Sequence, residues 1–443
     1  MLPSPQKPFK KLRIVPLIAV IFLTVSGGPY GLEPLLTYAG KHGALLLLIV
    51  TPVLWDIPTI FTVLELNSMM PVTGGYYQWV KKAMGLRWAL YEGWWTWLYT
   101  FVDLAIYPVL FTEYAAFFFP EIAAYKVPVC LFIIWSSAGL NILGIVPVGK
   151  ISMLLAALVL APFIILFYVA FTHHAGNFTF PSLSLKGIGF SSLGLGLYTV
   201  MWNFIGWDNV TTYAEEVDRP VRTYLISIFT AFVLIFLVYF LAVLVAQQSG
   251  VDLAKLEKEG FPIVGLLVGG RWLGTLLSFG GLASTLGLYS AVLLSVSRVP
   301  KVMADDGLLP QKINKLHPRY KTPYVSILIC SVVISFMVLW TFTDLLIIDV
   351  TVYGAALFLE FASLIIFRIK FPGLHRPFKI PLNVFGLCLM SFLPLLVYLI
   401  ALSGAFSASK ETWLPALFAV ATLLSGELVW RLIKFRKKGL QNG

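Results

Sequence analysis

The sequence predicts an all-α polytopic membrane protein, and its composition is the first observation behind that prediction. Of the 443 residues, 59% are hydrophobic and 12% are charged, and the mean hydropathy is +0.87. Soluble domains average roughly half apolar and a quarter charged residues. Apolar runs close to the roughly 20 residues that cross a bilayer recur along the whole chain. A soluble enzyme is therefore excluded.

Twelve transmembrane helices are predicted from hydropathy and from the glycine, proline and charged residues between the apolar runs. The first run is expected to remain as a span, because no small-residue cleavage site follows it. An even number of spans places both termini on one side of the membrane. The predicted spans are 12–38, 42–68, 86–119, 127–144, 150–172, 192–213, 221–247, 272–299, 323–342, 345–369, 381–405 and 412–433.

The basic residues predict the orientation of these spans. All but seven of the 32 Lys and Arg residues fall on the face that carries both termini. Under the positive-inside rule both termini are cytoplasmic, in the plasma membrane, and the net charge of +11 needs no nucleic-acid partner. The residues on the opposite face are Lys41, Lys126, Lys186, Lys255, Lys258, Arg271 and Lys410.

The first and sixth spans are each interrupted at mid-membrane by residues that a helix avoids, at 25–31 and at 202–208. Either break alone could be a packing kink. Corresponding breaks in two halves are typical of an inverted-repeat transporter, whose half-helix ends bind substrate at the midplane. The prediction is a 5+5 inverted repeat with broken helices 1 and 6, followed by two C-terminal helices. Repeat one covers about 12–172, repeat two about 192–369, and the extra helices about 381–433.

The candidate substrate-binding residues lie at the two breaks and on the third span. Backbone that leaves the helix within a bilayer must line a cavity or be buried in protein. Pro29 has no N–H, so the first break offers one donor fewer to a carboxylate. The candidates are Ser26, Gly27, Gly28, Tyr30, Gly31, Asp103, Tyr107, Trp202, Asn203, Ile205, Gly206, Trp207 and Asp208.

Acidic residues at membrane depth are functional candidates because they are costly there. Asp103 and Tyr107 are four residues apart, so they could present a carboxylate and a hydroxyl together to an amine. No basic residue lies in the core of a predicted span, so a cationic ligand or a proton could supply the counter-charge. A positively charged substrate is favoured. The acids are Glu33, Asp56, Glu65, Asp103, Asp208, Asp344, Asp349 and Glu360.

Other roles are expected for some of these acids. Glu33 and Asp208 could instead cap half-helices. Glu65 is expected to hold the turn at 71–75, and Asp344 and Asp349 are expected to be solvated near an interface.

Aromatic and hydroxyl side chains supply further candidates. Trp202 and Trp207 are candidates for cation–π contacts or a gate. A coupling-ion site could form near the first break, although hydroxyls in membrane helices often bond their own backbone. Its candidate residues are Gly281, Ser284, Thr285 and Glu33.

Motifs for other chemistries are missing from the sequence. There is no phosphate-binding loop, no paired-histidine zinc motif and no nucleophile-elbow serine. The five histidines and three cysteines lack metal-ligand or disulfide spacing. We expect no enzyme activity, no cofactor, no metal and no ATP-driven mechanism.

Several segments resemble the amino acid–polyamine–organocation permeases. The stretch from Ser297 to Pro323 resembles the loop that follows span eight in these proteins, and 71–80 and 215–220 also fit. Residues 25–31, Asp103 with 107–111, and 202–208 look most like the polyamine-uptake or L-type amino acid transporter branch.

This resemblance implies the twelve-helix inverted-repeat fold and alternating access, with substrate held between helices one, three, six, eight and ten. Trp202 matches the position of the family's aromatic gate. Gly27, Gly28 and Pro29 replace its usual Gly-Ser-Gly, and the helix-five lysine of many proton-coupled members is missing from 153–167.

The expected function is secondary-active import of polyamines or cationic amino acids across the cytoplasmic membrane, with proton coupling preferred over sodium. The partners are then a small amine or amino acid, a coupling ion and the lipid bilayer. The alternative is a neutral amino-acid symporter or exchanger on the same fold, which would need free amides at the first break to hold a carboxylate. A channel and a non-transporting sensor are more distant alternatives.

Overall fold

The computed structural model describes residues 11–173, 182–339, 342–407 and 413–441, and the regular secondary structure in these ranges is helical. In this part of the chain β-structure is limited to two isolated bridges, Leu12–Val217 and Thr73–Tyr213. The all-α prediction is confirmed. Among the sequence predictions, Lys410 lies outside the described residues, and so does the side chain of Asp344.

In the described ranges, helices occupy each of the twelve predicted spans at least in part, and four shorter helices lie between those spans. Those of the first half are α1 (Ile14–Val25), α2 (Glu33–Thr51), α3 (Ile57–Met69), α4 (Gly75–Met84), α5 (Leu86–Ala115), α6 (Lys126–Leu143) and α7 (Ile145–His173). Those of the second half are α8 (Phe190–Trp202), α9 (Pro220–Gln248), α10 (Leu253–Glu259), α11 (Phe261–Gly269), α12 (Arg271–Val296), α13 (Val299–Asp305), α14 (Tyr324–Met337), α15 (Phe342–Lys370), α16 (Val384–Phe406) and α17 (Trp413–Gln441).

Seven helical segments within the described ranges are long and apolar enough to cross a bilayer, as judged by length and composition. The protein is therefore an integral membrane protein. The number of twelve crossings and the two repeats stay predictions, since interrupted or short helices such as α1 and α14 fall below that length. The seven segments are Glu33–Met69, Lys126–Leu143, Ile145–Thr172, Pro220–Gln248, Arg271–Asp305, Leu345–Lys370 and Val384–Phe406.

Both predicted breaks occur as departures from helical structure. α1 ends at Val25, and the chain becomes helical again at Glu33. α8 ends at Trp202, and beyond it the chain forms only short 3-10 turns up to Glu216. The sixth predicted span is therefore helical over its first part alone. A further interruption, at Gly40 with a φ of 63°, divides α2 near the predicted boundary between the first two spans.

Packing places both breaks inside the helix assembly. α1 packs against α7, α9 and α12, while α5 lies between α12 and α15. α2 packs on α8, so the helix that follows the first break contacts the helix that precedes the second. The polar segments at the breaks are thereby shielded from the surrounding lipid, as exposed backbone in a bilayer requires.

Glu65 lies in a buried ion pair that the sequence analysis did not anticipate. Its carboxylate accepts hydrogen bonds from Arg368 Nε and Nη2, each at 2.6 Å, and from the backbone N–H of Ile380 at 2.8 Å. Arg376 Nε lies 3.3 Å away. The expectation that buried carboxyls lack basic partners is wrong at this position. Glu65 joins α3 to the end of α15 and the segment after it, rather than holding the turn at 71–75.

Candidate binding site at the two helix breaks

A small enclosed cavity lies between the two breaks. Its volume is about 10 Å³, close to the minimum that holds one water molecule. An amine or amino acid needs more room, so helices must move apart before such a molecule can enter. The cavity is lined by Thr24, Val25, Ser26, Asp103, Tyr107, Trp202, Asn203, Ile205, Asn209 and Leu288.

The first break uses its own backbone amides. Gly27 N donates to Phe22 O at 2.8 Å, and Gly28 N donates to Ser26 Oγ at 3.0 Å. The φ angles of Gly27, Gly28 and Gly31 are 60°, 94° and 96°, a region that favours glycine. Two of the three amides that a substrate carboxylate would need, those of Gly27 and Gly28, are therefore already bonded.

Glu33 closes the end of this break that leads into α2. Its Oε2 accepts from Gly31 N at 2.5 Å, and its Oε1 accepts from Tyr114 OH at 3.2 Å and from Phe261 N at 3.3 Å. These bonds hold the beginning of α2 against α5 and α11. Glu33 thus has the contacts of a helix-capping and cross-linking residue.

A second, larger cavity adjoins the first break, with Gly31 and Glu33 in its lining. Its volume is about 180 Å³, which is enough for a small organic amine. Glu33 and three further acids line it beside a single lysine, giving the opening a negative character. The charged lining residues are Glu33, Glu113, Glu257, Lys258 and Glu259.

Asp103, Tyr107 and Trp202 form one wall of the small cavity. Tyr107 OH donates to Asp103 Oδ1 at 2.6 Å, as their spacing of four residues on α5 suggests. The rings of Tyr107 and Trp202 stack with centroids 6.4 Å apart, and Trp202 also interacts with the Asp103 carboxyl. An added Cβ at Gly31 would lie 2.5 Å from the Trp202 ring, so a glycine is needed beneath this tryptophan.

Asn203 and Gly206 connect the second break to the first. Asn203 Nδ2 donates to Gly31 O at 3.2 Å, and an added Cβ at Gly206 would lie 3.2 Å from Thr24 O. Asn203 and Ile205 both line the small cavity. Sequence positions about 175 residues apart therefore meet at one site.

Trp207 and Asp208 are not among the residues that line the small cavity. Trp207 Nε1 donates to Asp56 Oδ1 at 3.2 Å, and the tryptophan side chain is fully buried. Asp208 Oδ1 accepts from Tyr353 OH at 2.9 Å. Both residues therefore connect the second break to other parts of the helix assembly.

The proposed coupling-ion residues on α12 do not converge. Thr285 Oγ1 donates to Gly281 O at 3.2 Å and to Leu282 O at 3.0 Å, within its own helix. Ser284 Oγ has no partner among the described residues and faces Gly27. Gly281 packs under the Tyr114 ring. Of these three residues, only Ser284 presents a side-chain polar atom to the first break.

Asp349, on α15, is fully buried, and neither of its carboxyl oxygens has a hydrogen-bond partner among the described residues. The expectation that it is solvated is wrong. It lies near Asp103, with which it interacts electrostatically. The error arose because an acid placed near a predicted span end can still face the middle of the helix assembly.

Three more buried carboxyls form what we term the inner carboxyl cluster: Glu92, Asp208 and Glu360. Each of the three is at most 2% exposed, and they interact electrostatically with one another. Neither oxygen of Glu360 accepts a hydrogen bond from an N–H or hydroxyl donor in the described ranges. None of the ion pairs found there includes a member of the cluster.

Glu92 was missed by the sequence analysis, although a signal for it exists. It begins a polar stripe on α5 with spacings of three and four residues, which places all its members on one helix face. Because the stripe ends at Asp103 and Tyr107, which were already candidates, following the same helix face towards the N-terminus would have identified Glu92 from the sequence. The stripe consists of Glu92, Thr96, Thr100, Asp103 and Tyr107.

Comparison with known proteins gives a consistent picture. The sequence model of a family described as amino acid permease matches residues 14–423. The chain is 32% identical over 435 residues to the polyamine transporter RMV1 of Arabidopsis thaliana, covering 97% of this chain and 87% of that protein. It is 30% identical over 401 residues to the polyamine transporter PUT1 of Oryza sativa subsp. japonica, covering 89% of this chain and 74% of that protein.

Proposed function

The chain belongs to the amino acid permease family and is a transporter of amino acids or polyamines, and from this premise we propose that its substrate is a polyamine. The wall formed by Asp103 and Tyr107 binds an ammonium group, and Asp349 adds a second negative charge nearby. The observation that carries the proposal is the excess of buried carboxyls around the breaks that have no basic partner among the described residues.

The energetic argument concerns charge. An ionised carboxyl at the centre of a membrane helix costs at least about 2.5–3.5 kcal/mol, unless a partner compensates. Asp103, Asp349 and the inner carboxyl cluster supply five acids within one helix assembly. A chain of ammonium groups separated by methylenes would compensate several of them at once, while its methylenes would contact Trp202 and Ile205.

The neutral amino-acid alternative requires donors for a carboxylate. At the first break the amides of Gly27 and Gly28 already donate to acceptors, and Pro29 has no amide N–H. A carboxylate entering here would also meet Asp103 and Asp349. Like charges in a low-dielectric site repel strongly. Both features support an amine-binding site over a carboxylate-binding one.

We assign the coupling ion as a proton, taken up by the inner carboxyl cluster. Three adjacent carboxyls cannot all carry charge at low cost, so a proton is the smallest ligand that relieves their repulsion. A sodium site at α12 has weaker support, since the Thr285 hydroxyl is bonded within its own helix. Import would proceed by alternating access, with the first two helices of each repeat rocking against the rest.

Uptake into proteoliposomes tests this function. The purified protein is given labelled putrescine, spermidine, lysine, alanine or leucine, under an imposed pH gradient or a sodium gradient. We expect polyamine accumulation driven by the pH gradient, with loss of uptake in Asp103→Asn. Asp252→Asn is the matched control, because it removes an equal charge at an exposed helix cap.

Two results would contradict the proposal. Accumulation of alanine or leucine without polyamine uptake would favour the neutral amino-acid alternative. Equal polyamine uptake by the wild-type protein and Asp103→Asn would show that Asp103 does not bind the substrate, although the protein would still be a polyamine transporter.

A further inference from the structure

A wide cavity opens at the beginnings of three helices, α1, α7 and α9. Its volume is about 1070 Å³, and it shares no lining residue with the small cavity between the breaks. Three chain segments form its wall, at 11–16, 146–153 and 218–223. It is therefore a separate feature of the molecule, and its chemistry can be considered independently of the transported substrate.

The polar part of the wall is strongly basic. Five cationic side chains line it together with one acid, Asp218. Each of the five is exposed, and none forms an ion pair within the described ranges. By contrast, Lys81 and Arg298 each pair with an acid. The five are Lys11, Arg13, Lys150, Arg219 and Arg222.

The remainder of the wall is apolar and continues along the outer faces of the same helices. Val15 on α1 is 66% exposed, Leu154 on α7 is 60% exposed and Phe229 on α9 is 68% exposed. Leu154 follows Lys150 by one helical turn, and Phe229 follows Arg222 by two. A basic cavity wall that continues into an exposed apolar surface is complementary to an anion with an apolar tail, and less so to a fully polar anion.

We propose that this cavity binds an anionic phospholipid. The phosphate lies among Arg13, Lys150 and Arg222, and the acyl chains extend along Val15, Leu154 and Phe229. Basic pockets between membrane helices attract anionic headgroups in this way. The assignment rests on the charge and shape of the wall and holds for either direction of transport or either class of substrate.

The position of the lipid gives it an influence on α1. Leu12 N donates to Glu216 O at 3.0 Å, and Asp218 N donates to Leu12 O at 2.8 Å, so the start of α1 is bonded to the segment that precedes α9. Headgroup-binding residues occur on both sides of this junction. A lipid that contacts α1, α7 and α9 together stabilises their present arrangement and opposes displacement of α1.

Binding is measured on the full-length protein, delipidated in detergent, by native mass spectrometry. The protein is titrated with phosphatidylglycerol or with phosphatidylcholine that carries the same acyl chains. The test variant is Arg13→Gln/Lys150→Gln/Arg222→Gln. The matched control, Lys82→Gln/Lys434→Gln/Arg436→Gln, removes the same charge from exposed positions on the predicted cytoplasmic face.

We expect the wild-type protein to retain phosphatidylglycerol in preference to phosphatidylcholine. Each basic residue near a membrane surface contributes about fivefold to anionic-lipid affinity, so the triple variant should bind at least tenfold more weakly. The control should bind as the wild type does. The variant Arg13→Lys/Arg222→Lys keeps the charge and should retain binding.

Three outcomes would overturn the inference. The first is an equal loss of phosphatidylglycerol affinity in the test and control variants, which would indicate non-specific electrostatic attraction to any basic part of the surface. The second is equal retention of both lipids by the wild-type protein. The third is displacement of the lipid by an equal concentration of glycerol phosphate, which would identify a site for a soluble anion.

Discussion

Tyr107 donates a 2.6 Å hydrogen bond to Asp103 one turn earlier on α5, so the hydroxyl fixes the direction in which this buried carboxyl points. The Trp202 ring stacks on the Tyr107 ring, with centroids 6.4 Å apart. A carboxyl held in one orientation binds an ammonium group without a further loss of side-chain entropy.

Replacement of Tyr107 by phenylalanine tests this relationship. Immobilising a side chain on binding costs about 0.5–1.5 kcal/mol, so Tyr107→Phe, which frees the Asp103 carboxyl to rotate, should raise the KM for a diamine by about two- to tenfold. The measurement is initial uptake rate against substrate concentration in proteoliposomes. Tyr398→Phe, which removes a buried hydroxyl bonded to Thr351 O away from the site, is the control. Equal KM values in the two variants would contradict an orienting role.

Gly31→Ala tests the contact between the first break and Trp202. At a φ of 96° an alanine is strained by about 1–2 kcal/mol, and here its Cβ would also lie 2.5 Å from the Trp202 ring. Gly85 has a φ of 93° and no atom within 4 Å of its added Cβ, so Gly85→Ala carries the backbone strain alone. The midpoint temperature of thermal unfolding should decrease in both variants, whereas polyamine uptake should fall only in Gly31→Ala. Full uptake by Gly31→Ala would show that Trp202 can move away freely.

Glu65→Gln should destabilise the protein markedly. Removal of one partner from a buried ion pair costs about 3–5 kcal/mol, because Arg368 and Arg376 are left without their shared carboxylate. The midpoint of thermal unfolding in detergent provides the measurement. The exposed pair of Lys301 and Asp305 gives the comparison, and Asp305→Asn should change stability by less than about 1 kcal/mol. Similar midpoints for both variants would mean that the Glu65 pair contributes little.

Glu360→Gln tests proton coupling through the inner carboxyl cluster. Glutamine keeps the size of the side chain but cannot exchange a proton, so accumulation driven by a pH gradient should be lost. Counterflow of labelled against unlabelled polyamine should persist, because it needs no net proton movement. Glu121→Gln, at an exposed position, should retain both activities. Normal pH-driven accumulation by Glu360→Gln would exclude this residue from coupling.

The orientation of the chain can be tested with single cysteines in a background without Cys130, Cys330 and Cys388. Lys82 and Lys255 are exposed and are predicted to lie on opposite sides of the membrane. In intact cells, an impermeant maleimide should label Lys255→Cys but not Lys82→Cys, and both should react after permeabilisation. The reverse pattern would invert the topology proposed from the basic residues.

Agreement between the sequence analysis and the structure is best where local features decide the outcome. Helix existence and approximate bounds follow from apolar runs, and α9 begins and ends within one residue of its predicted span, 221–247. The two breaks could be predicted equally well, since glycine, proline and polar residues inside an apolar run disrupt a helix wherever it packs. The pairing of Asp103 with Tyr107 follows from helical spacing alone.

The sequence by itself therefore determined the helical class, the integral membrane character, the positions of the breaks and the excess of intramembrane acids. Only the tertiary structure decided which acids meet: it paired Glu65 with Arg368, buried Asp349 beside Asp103, and brought Glu92 and Glu360 to Asp208. The physical reason is that hydropathy and periodicity describe a residue relative to its own helix. Electrostatic partners depend on the rotation and contact of helices that are distant in the chain, which no local pattern encodes.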